Sequence, residues 1–169
     1  MAQHDLDLSD IVRRVIDSNV FMVLGTVDEA GRPWVSPVFY AAKDYVEFYW
    51  ISSPEVTHSV NIARDPRVSI VIFNSEIQPS IGEASTTAAY MAGTAAELAG
   101  GDVAPGLETY PGAAERGGRI ITAAEVSPPG PYRLYRATVS QHSILCPRES
   151  GQPCDVHGRA YDHRTVVSL

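Results

Sequence analysis

Residues 45–73 read YVEFYWISSPEVTHSVNIARDPRVSIVIF, two β-rich runs separated by a short polar segment. Tyr45–Ile51 and Val68–Phe73 are dense in aromatic and β-branched side chains, which fit a pleated, half-buried surface. Between them, Ser52 or Ser53 suits a helix cap. Pro54 suits the first helical position, where its missing N–H costs nothing, and Glu55 suits the first turn. Val56, Val60 and Ala63 supply apolar contacts. Asp65-Pro66 ends the helix, because the residue before proline is pushed out of the α region. The pattern predicts strand, short helix, strand.

Upstream, VFMVLGTVD and PWVSPVFYAA are two further β-rich runs separated by EAGR, where Gly31 can take the positive φ of a hairpin turn. Tyr45–Ile51 then follows closely enough to extend the pair into a three-stranded meander. Leu8, Ile11, Val12, Val15 and Ile16 recur at helical spacing behind Asp7 or Ser9 as cap, so residues 8–18 read as an amphipathic helix. Downstream, RVSIVIF is a fourth strand and AAYMAGTAAELAG a fifth, joined by the long polar segment NSEIQPSIGEAST. Residues 101–131 are rich in Gly, Pro and Ala, with a short helix expected around Tyr110–Arg116. YRLYRATVSQHSIL alternates as a sixth strand, and the tail is polar until RTVVSL. With no internal repeat, residues 1–169 read as one domain of mainly β (α+β) class with two to four peripheral helices.

Composition narrows the function. The apolar and charged fractions, 44% and 20%, are those of a folded chain. The formal charge of −7 repels polyanions, which argues against nucleic acid or an anionic membrane surface as partner. Any anion must be held locally. MAQHDLDLSD has no basic region followed by an apolar core, and no run approaches the roughly 18 residues of a membrane span, so a cytoplasmic protein is expected. G-x-S-x-G and the Gly-rich nucleotide loops are absent.

The junction after Trp50 carries the one chemical signal. A helix N-terminus offers unpaired N–H groups and a partial positive charge, and Ser52, Ser53 and Thr57 place hydroxyls beside it, with His58 close by. The same residues also serve plain helix initiation. An anion there requires Glu55 to turn to solvent.

The segment GTVDEAGRPWVSPVFYAAKDYVEFYWISSPEVTHSVNIARDPRVSIVIF resembles the N-terminal half of the pyridoxamine 5′-phosphate oxidase-like family of FMN-binding split barrels. The likeness lies in the order of turn, S-P-V strand, aromatic strand, Ser-rich junction, N-I-x-x-D-P helix and apolar strand, and AAYMAGTAAEL resembles the strand that follows. It implies a six-stranded antiparallel split β-barrel forming a homodimer, with FMN at the interface and a small organic substrate over the ring. It also implies cofactor contacts from Ser36, Pro37, Val38, Phe39, Ile51, Ser52 and Ser53, and a phosphate seat at Thr57 and His58, where the family often carries Arg or Lys. FMN performs the hydride chemistry in such proteins, so no dedicated catalytic acid or base is assigned.

Two departures qualify the likeness. A neutral His58 supplies less charge than Lys, though a bound phosphate would raise its pKa. The tail CDVHGRAYDHR lacks the Arg-x-His element of true pyridoxamine phosphate oxidases, which argues against vitamin B6 phosphate as substrate. The rival cofactor on this fold is a deazaflavin coenzyme of the F-420 type, although a single Lys and a negative balance offer little to its acidic tail. A non-catalytic flavin- or haem-binding protein, with His58 or His142 as iron ligand, is the other class. His142, Cys146, Cys154, His157 and His163 are zinc-ligating types, but their spacings match no tight pair-and-pair pattern. The cysteines read as free thiols, and no metal is expected.

Overall fold

The computed structural model describes residues 7–74, 88–146, 148, 151–154 and 156–169. Apart from Asn74, the expected long loop between the fourth and fifth strands lies outside them. In chain order the elements are α1 (Leu8–Ser18), β1 (Phe21–Val27), β2 (Pro33–Phe39), β3 (Ala41–Lys43), β4 (Glu47–Ser52), α2 (Thr57–Arg64), β5 (Arg67–Phe73), β6 (Ala88–Glu97), α3 (Val103–Thr109), β7 (Arg133–Leu145) and β8 (Arg164–Val167). Single turns of 3₁₀ helix lie at Gly100–Asp102 and Ala114–Arg116.

All described strand pairings are antiparallel, in the order β2-β1-β5-β6-β7-β4-β3, with β8 added to β7. β2 and β3 are consecutive in the chain yet stand at opposite ends of this path, so the sheet curls into a split barrel, with Tyr40 at the crossing. Tyr40 is wholly buried, its amide donates to Val20 O at 3.1 Å, and its hydroxyl donates to Ile16 O at 2.5 Å, tying the bend to α1. Burial pushes its pKa up to about 12.

The strand count is eight rather than six, for two local reasons. The run PWVSPVFYAA breaks at Tyr40 into β2 and β3, and RTVVSL supplies β8. The expected three-stranded meander is also corrected: β4 pairs with β3 and β7, not with β2. Pro33 and Pro37 explain β2's place at an end of the path, where a strand can lack N–H donors on one side.

One face of the sheet forms the main core. Met22, Leu24, Phe48, Trp50, Ile70, Ile72 and Ala137 meet Val12, Val15 and Ile16 of α1 and Ile62 of α2 there. Trp50 stacks on Tyr135 with ring centroids 5.5 Å apart, an arrangement worth about 1 kcal/mol beyond area burial. On the other face, α3 covers β4 and β7 through Val103, Leu98, Tyr49 and Leu134. The helix expected around Tyr110–Arg116 is instead α3, ending at Thr109, followed by the 3₁₀ turn.

Three turns follow their sequence chemistry. Asp7 caps α1 by accepting from Ser9 N at 2.9 Å, and Gly31 turns the β1–β2 hairpin at φ 77°. Asp44 and Tyr45, at φ 52° and 57°, lie in the three-residue β3–β4 hairpin turn, where Val46 N donates to Lys43 O at 3.1 Å. At Gly93, β6 meets a register shift against β7, and an added Cβ would lie 2.2 Å from Thr138 O.

Candidate functional site

The first turn of α2 differs from the sequence expectation. The helix begins at Thr57, not Pro54, and its N-cap is Val56, with no side chain bonded to the exposed amides. Pro54 and Glu55 form a turn in which Val56 N donates to Ser53 O at 3.4 Å, while Ser53 Oγ accepts from Glu55 N at 3.3 Å. Its first turn therefore presents backbone N–H groups without a side-chain acceptor, the arrangement suited to an anion. Glu55 is exposed.

His58 stands at the centre of a hydrogen-bonded chain drawn from three elements. Its Nε2 lies 2.8 Å from Ser52 Oγ of β4, and its Nδ1 lies 3.1 Å from Ser36 Oγ of β2. Trp34 Nε1 donates to the same Ser36 Oγ at 3.0 Å. Strand alternation explains the meeting. Ser36 shares the barrel-core face of β2 with Val38, and Ser52 shares that of β4 with Phe48 and Trp50. α2 is docked above them by Asn61 Nδ2, which donates to buried Thr26 Oγ1 at 3.0 Å, and by Ile62. His58 is 8% exposed, and burial alone lowers its pKa, so the neutral imidazole is the resting form. With one ring nitrogen donating and the other accepting, both serine hydroxyls are satisfied in either tautomer.

The remaining residues implied by the resemblance, and the aromatic and basic side chains near them, scatter around this centre. Thr57 and Pro37 are exposed, Val38 is buried, and Phe39 packs edge-on to Phe21 and Tyr110. Ile51 lies against the second core cluster, on the face opposite Ser52. Tyr40 and Trp50 are wholly buried core residues that line no open surface. Arg133 and Arg136 are engaged within the chain, by Glu97 at 3.3 Å and Glu47 at 3.3 Å. Trp34 is the member that sequence reasoning missed. Its spacing two residues before Ser36 on a strand was the available signal, since i and i+2 share a face.

Of the five zinc-ligating types, His142 is separate: its Nε2 lies 2.7 Å from Tyr45 O, and burial lowers its pKa. The other four come together on the C-terminal tail. Among the described residues, no helix is long and apolar enough to cross a membrane.

A curled antiparallel sheet whose end strands meet, with a serine-bonded histidine at the start of α2, defines a split-barrel fold. The model of a family described as pyridoxamine 5′-phosphate oxidase matches residues 8–146, and the chain belongs to that family. No curated protein matches the sequence. Among solved structures, the heme binding protein from Mycobacterium smegmatis superposes with a TM-score of 0.64 at 19% identity. The superposition covers 94% of this chain and 57% of that one, so this chain spans little more than half of that protein's length. HutZ, the heme storage protein from Vibrio cholerae, has a TM-score of 0.57 at 18% identity, covering 80% of this chain and 92% of its own. A FAD-binding protein from Mesorhizobium loti has a TM-score of 0.54 at 18% identity, covering 82% and 94%. At such identities these likenesses establish the fold alone.

Proposed function

We propose that the protein is a cytoplasmic flavoprotein that binds FMN at the mouth formed by Ser36, Ser52 and α2, and acts as an oxidoreductase on a small organic molecule. The observation that carries the reading is the convergence of Ser36, Ser52 and His58 beside a helix start that no side chain caps. Bound FMN supplies hydride transfer through its ring. The chain's part is to bind and orient it. The exposed amides of α2 and the hydroxyl of Thr57 receive the phosphate, and His58 takes up a proton as it trades one serine for a phosphate oxygen. Glu55, in solvent, leaves the seat free of a competing carboxylate. The edge of β2 from Ser36 to Phe39, with Ile51 to Ser53, flanks the ring.

The same reading includes a homodimer with the cofactor at its interface. The outward face of β1, β2 and β5 carries Phe21, Val27, Val35 and Phe73 at 59%, 38%, 65% and 43% exposure. The ladder places Phe21 beside Phe39, and Val23 beside both Pro37 and Val71. A contiguous apolar face of this kind marks an interaction surface.

Titrating the purified protein with FMN, with the F-420-type deazaflavin and with haemin, followed by absorbance, tests the reading. Saturable FMN binding that is weakened at least tenfold in His58→Ala is expected. Unchanged FMN affinity in that variant removes the phosphate seat, and preference for the deazaflavin replaces the cofactor. Oxidation of a reduced nicotinamide by the FMN-loaded protein separates an enzyme from a binder. Haem binding is the second reading, favoured by the neutral His58 and by the two heme-binding structural neighbours.

A further inference from the structure

We propose that Cys146, Cys154, His157 and His163 form a tetrahedral zinc site that fastens the C-terminal strand to the barrel. Their ligand atoms all lie within 4.8 Å of one another. Cys146 Sγ is 3.5 Å from His157 Nδ1, Cys154 Sγ is 3.9 Å from His157 Nδ1 and 3.6 Å from His163 Nε2, and the two imidazole nitrogens are 3.1 Å apart. Bonds of about 2.3 Å to sulfur and about 2.0 Å to nitrogen at tetrahedral angles put neighbouring ligand atoms roughly 3.3–3.8 Å apart, so the set needs to shift by only a few tenths of an ångström at its close pairs and by up to about 1 Å at its widest to hold the ion.

Hydrogen bonding alone explains the arrangement poorly. His157 Nδ1 has a sulfur on two sides and a nitrogen on the third, and a ring nitrogen's single proton or single lone pair cannot serve three partners. The surroundings orient the set for a cation. Tyr161 O lies 3.0 Å from His163 Nδ1, which places the proton there and leaves the Nε2 lone pair facing the centre. His157 N donates to Cys154 Sγ at 3.3 Å, and the amides of Arg159 and Val156 also face that sulfur, a cradle suited to a thiolate. Both cysteines are free and buried.

The topology explains why four residues so spaced meet. Cys146 and His163 extend the β7–β8 ladder by one pair beyond Leu145 and Arg164, and Cys146 N donates to His163 O at 2.9 Å. Cys154 and His157 come from a tight turn in which Gly158 N donates to Cys154 O at 2.8 Å. One ligand pair is thus supplied by the ladder and the other by the turn. Among the described residues between 147 and 162, Cys154 is the only buried one. These described residues form no apolar core of their own, and a metal ion supplies the centre they lack. Two thiolates and two imidazoles in tetrahedral array select zinc, and four protein ligands leave no position open for substrate, so the site is structural.

Elemental analysis of the purified chain tests this. About one zinc per chain is expected, lost in Cys154→Ser and in His163→Ala. In case those variants fail to fold, cobalt(II) exchanged into the intact protein gives an independent readout. Intense visible d–d bands with a near-ultraviolet thiolate charge-transfer band are expected for a tetrahedral site with two sulfurs. A weak octahedral spectrum overturns the proposal. So does freshly purified protein that carries no zinc and takes up neither added zinc nor cobalt, or that holds a Cys146–Cys154 disulfide. Stripping zinc with a chelator should expose residues 147–162 to proteolysis before the barrel is cut, and an unchanged cleavage pattern denies the ion its fastening role.

Discussion

Among the described residues, histidines meet polar side chains in two clusters, and the partners differ. At the barrel mouth, His58 is bracketed by the hydroxyls of Ser36 and Ser52, groups that donate and accept at once, so a neutral ring is satisfied whichever nitrogen holds the proton. On the tail, His157 and His163 face each other and two sulfurs, groups that converge lone pairs on one point. The first arrangement tolerates protonation and exchange of partners, as a reversible ligand requires. The second is complete only around a cation. Burial of a histidine is common to His58 and His163, so it does not distinguish the two uses. The chemistry of the neighbours does.

The largest expected effect breaks the tail and spares the mouth. Cys154→Ser should lower unfolding free energy by on the order of 4 kcal/mol when compared with the zinc-loaded chain. Among the described strands β8 pairs only with β7, and it joins the barrel core through Val167 and Leu169, while Ser168 O receives the Ser9 hydroxyl at 3.0 Å, so α1 should loosen with it. Chemical denaturation, with hydrogen exchange of residues 164–169 and of α1, measures this. FMN binding by whatever fraction stays folded should be unchanged. Loss of both functions together would make the two regions one cooperative unit.

Gly93→Ala should act on both regions at once. The added Cβ would fall 2.2 Å from a backbone oxygen that no rotamer change can move, so β6 and β7 must separate at the bulge. A cost of about 2–3 kcal/mol is expected. β7 carries Arg133 to Thr138 beside β4, and His142 to Leu145 beside β8, so melting followed together with zinc content and FMN affinity reports how its two halves communicate. By contrast His58→Ala, which leaves Ser36 and Ser52 without their ring partner, should cost about 1–2 kcal/mol and leave zinc content intact.

These expectations depend on contacts that the sequence reveals unevenly. Local pattern was enough for α1, the Gly31 turn and five of the six long β runs, because alternation and capping act over a few residues. The break at Tyr40 was not legible. PWVSPVFYAA alternates without interruption, and only the closing of the sheet on itself makes Tyr40 a corner. Ser52 and His58 were legible because they sit six residues apart at one junction, whereas Ser36 joined them only through the resemblance and Trp34 not at all. The closeness of the four tail residues was hidden for a related reason. Cys154 and His157 form a recognisable C-x2-H pair, but Cys146 and His163 are brought together by a ladder, and no spacing rule encodes a strand pairing seventeen residues apart.

The smallest effect concerns protons, and it separates the mouth from the rest of the molecule. Burial holds the folded pKa of His58 below its ordinary 6.5, so on acidification the unfolded chain takes the proton first. Stability is level well above pH 6.5 and falls as pH drops from there toward the folded value, by at most about 1.4 kcal/mol per pH unit from this group. His142 contributes in the same direction, since burial lowers its pKa despite the carbonyl of Tyr45. His58→Gln, which keeps a donor and an acceptor between the serines, should therefore flatten the decline between pH 7.5 and 5.5 without abolishing it, as read from urea unfolding of both chains. A phosphate at the seat reverses the sign for His58 alone, because a dianion favours the imidazolium. Saturating FMN should accordingly protect the wild-type chain more at pH 5.5 than at 7.5 and show no such preference in His58→Gln. Equal protection at both pH values would mean that the histidine stays neutral when the cofactor binds, leaving the helix amides and hydroxyls to hold the phosphate without it.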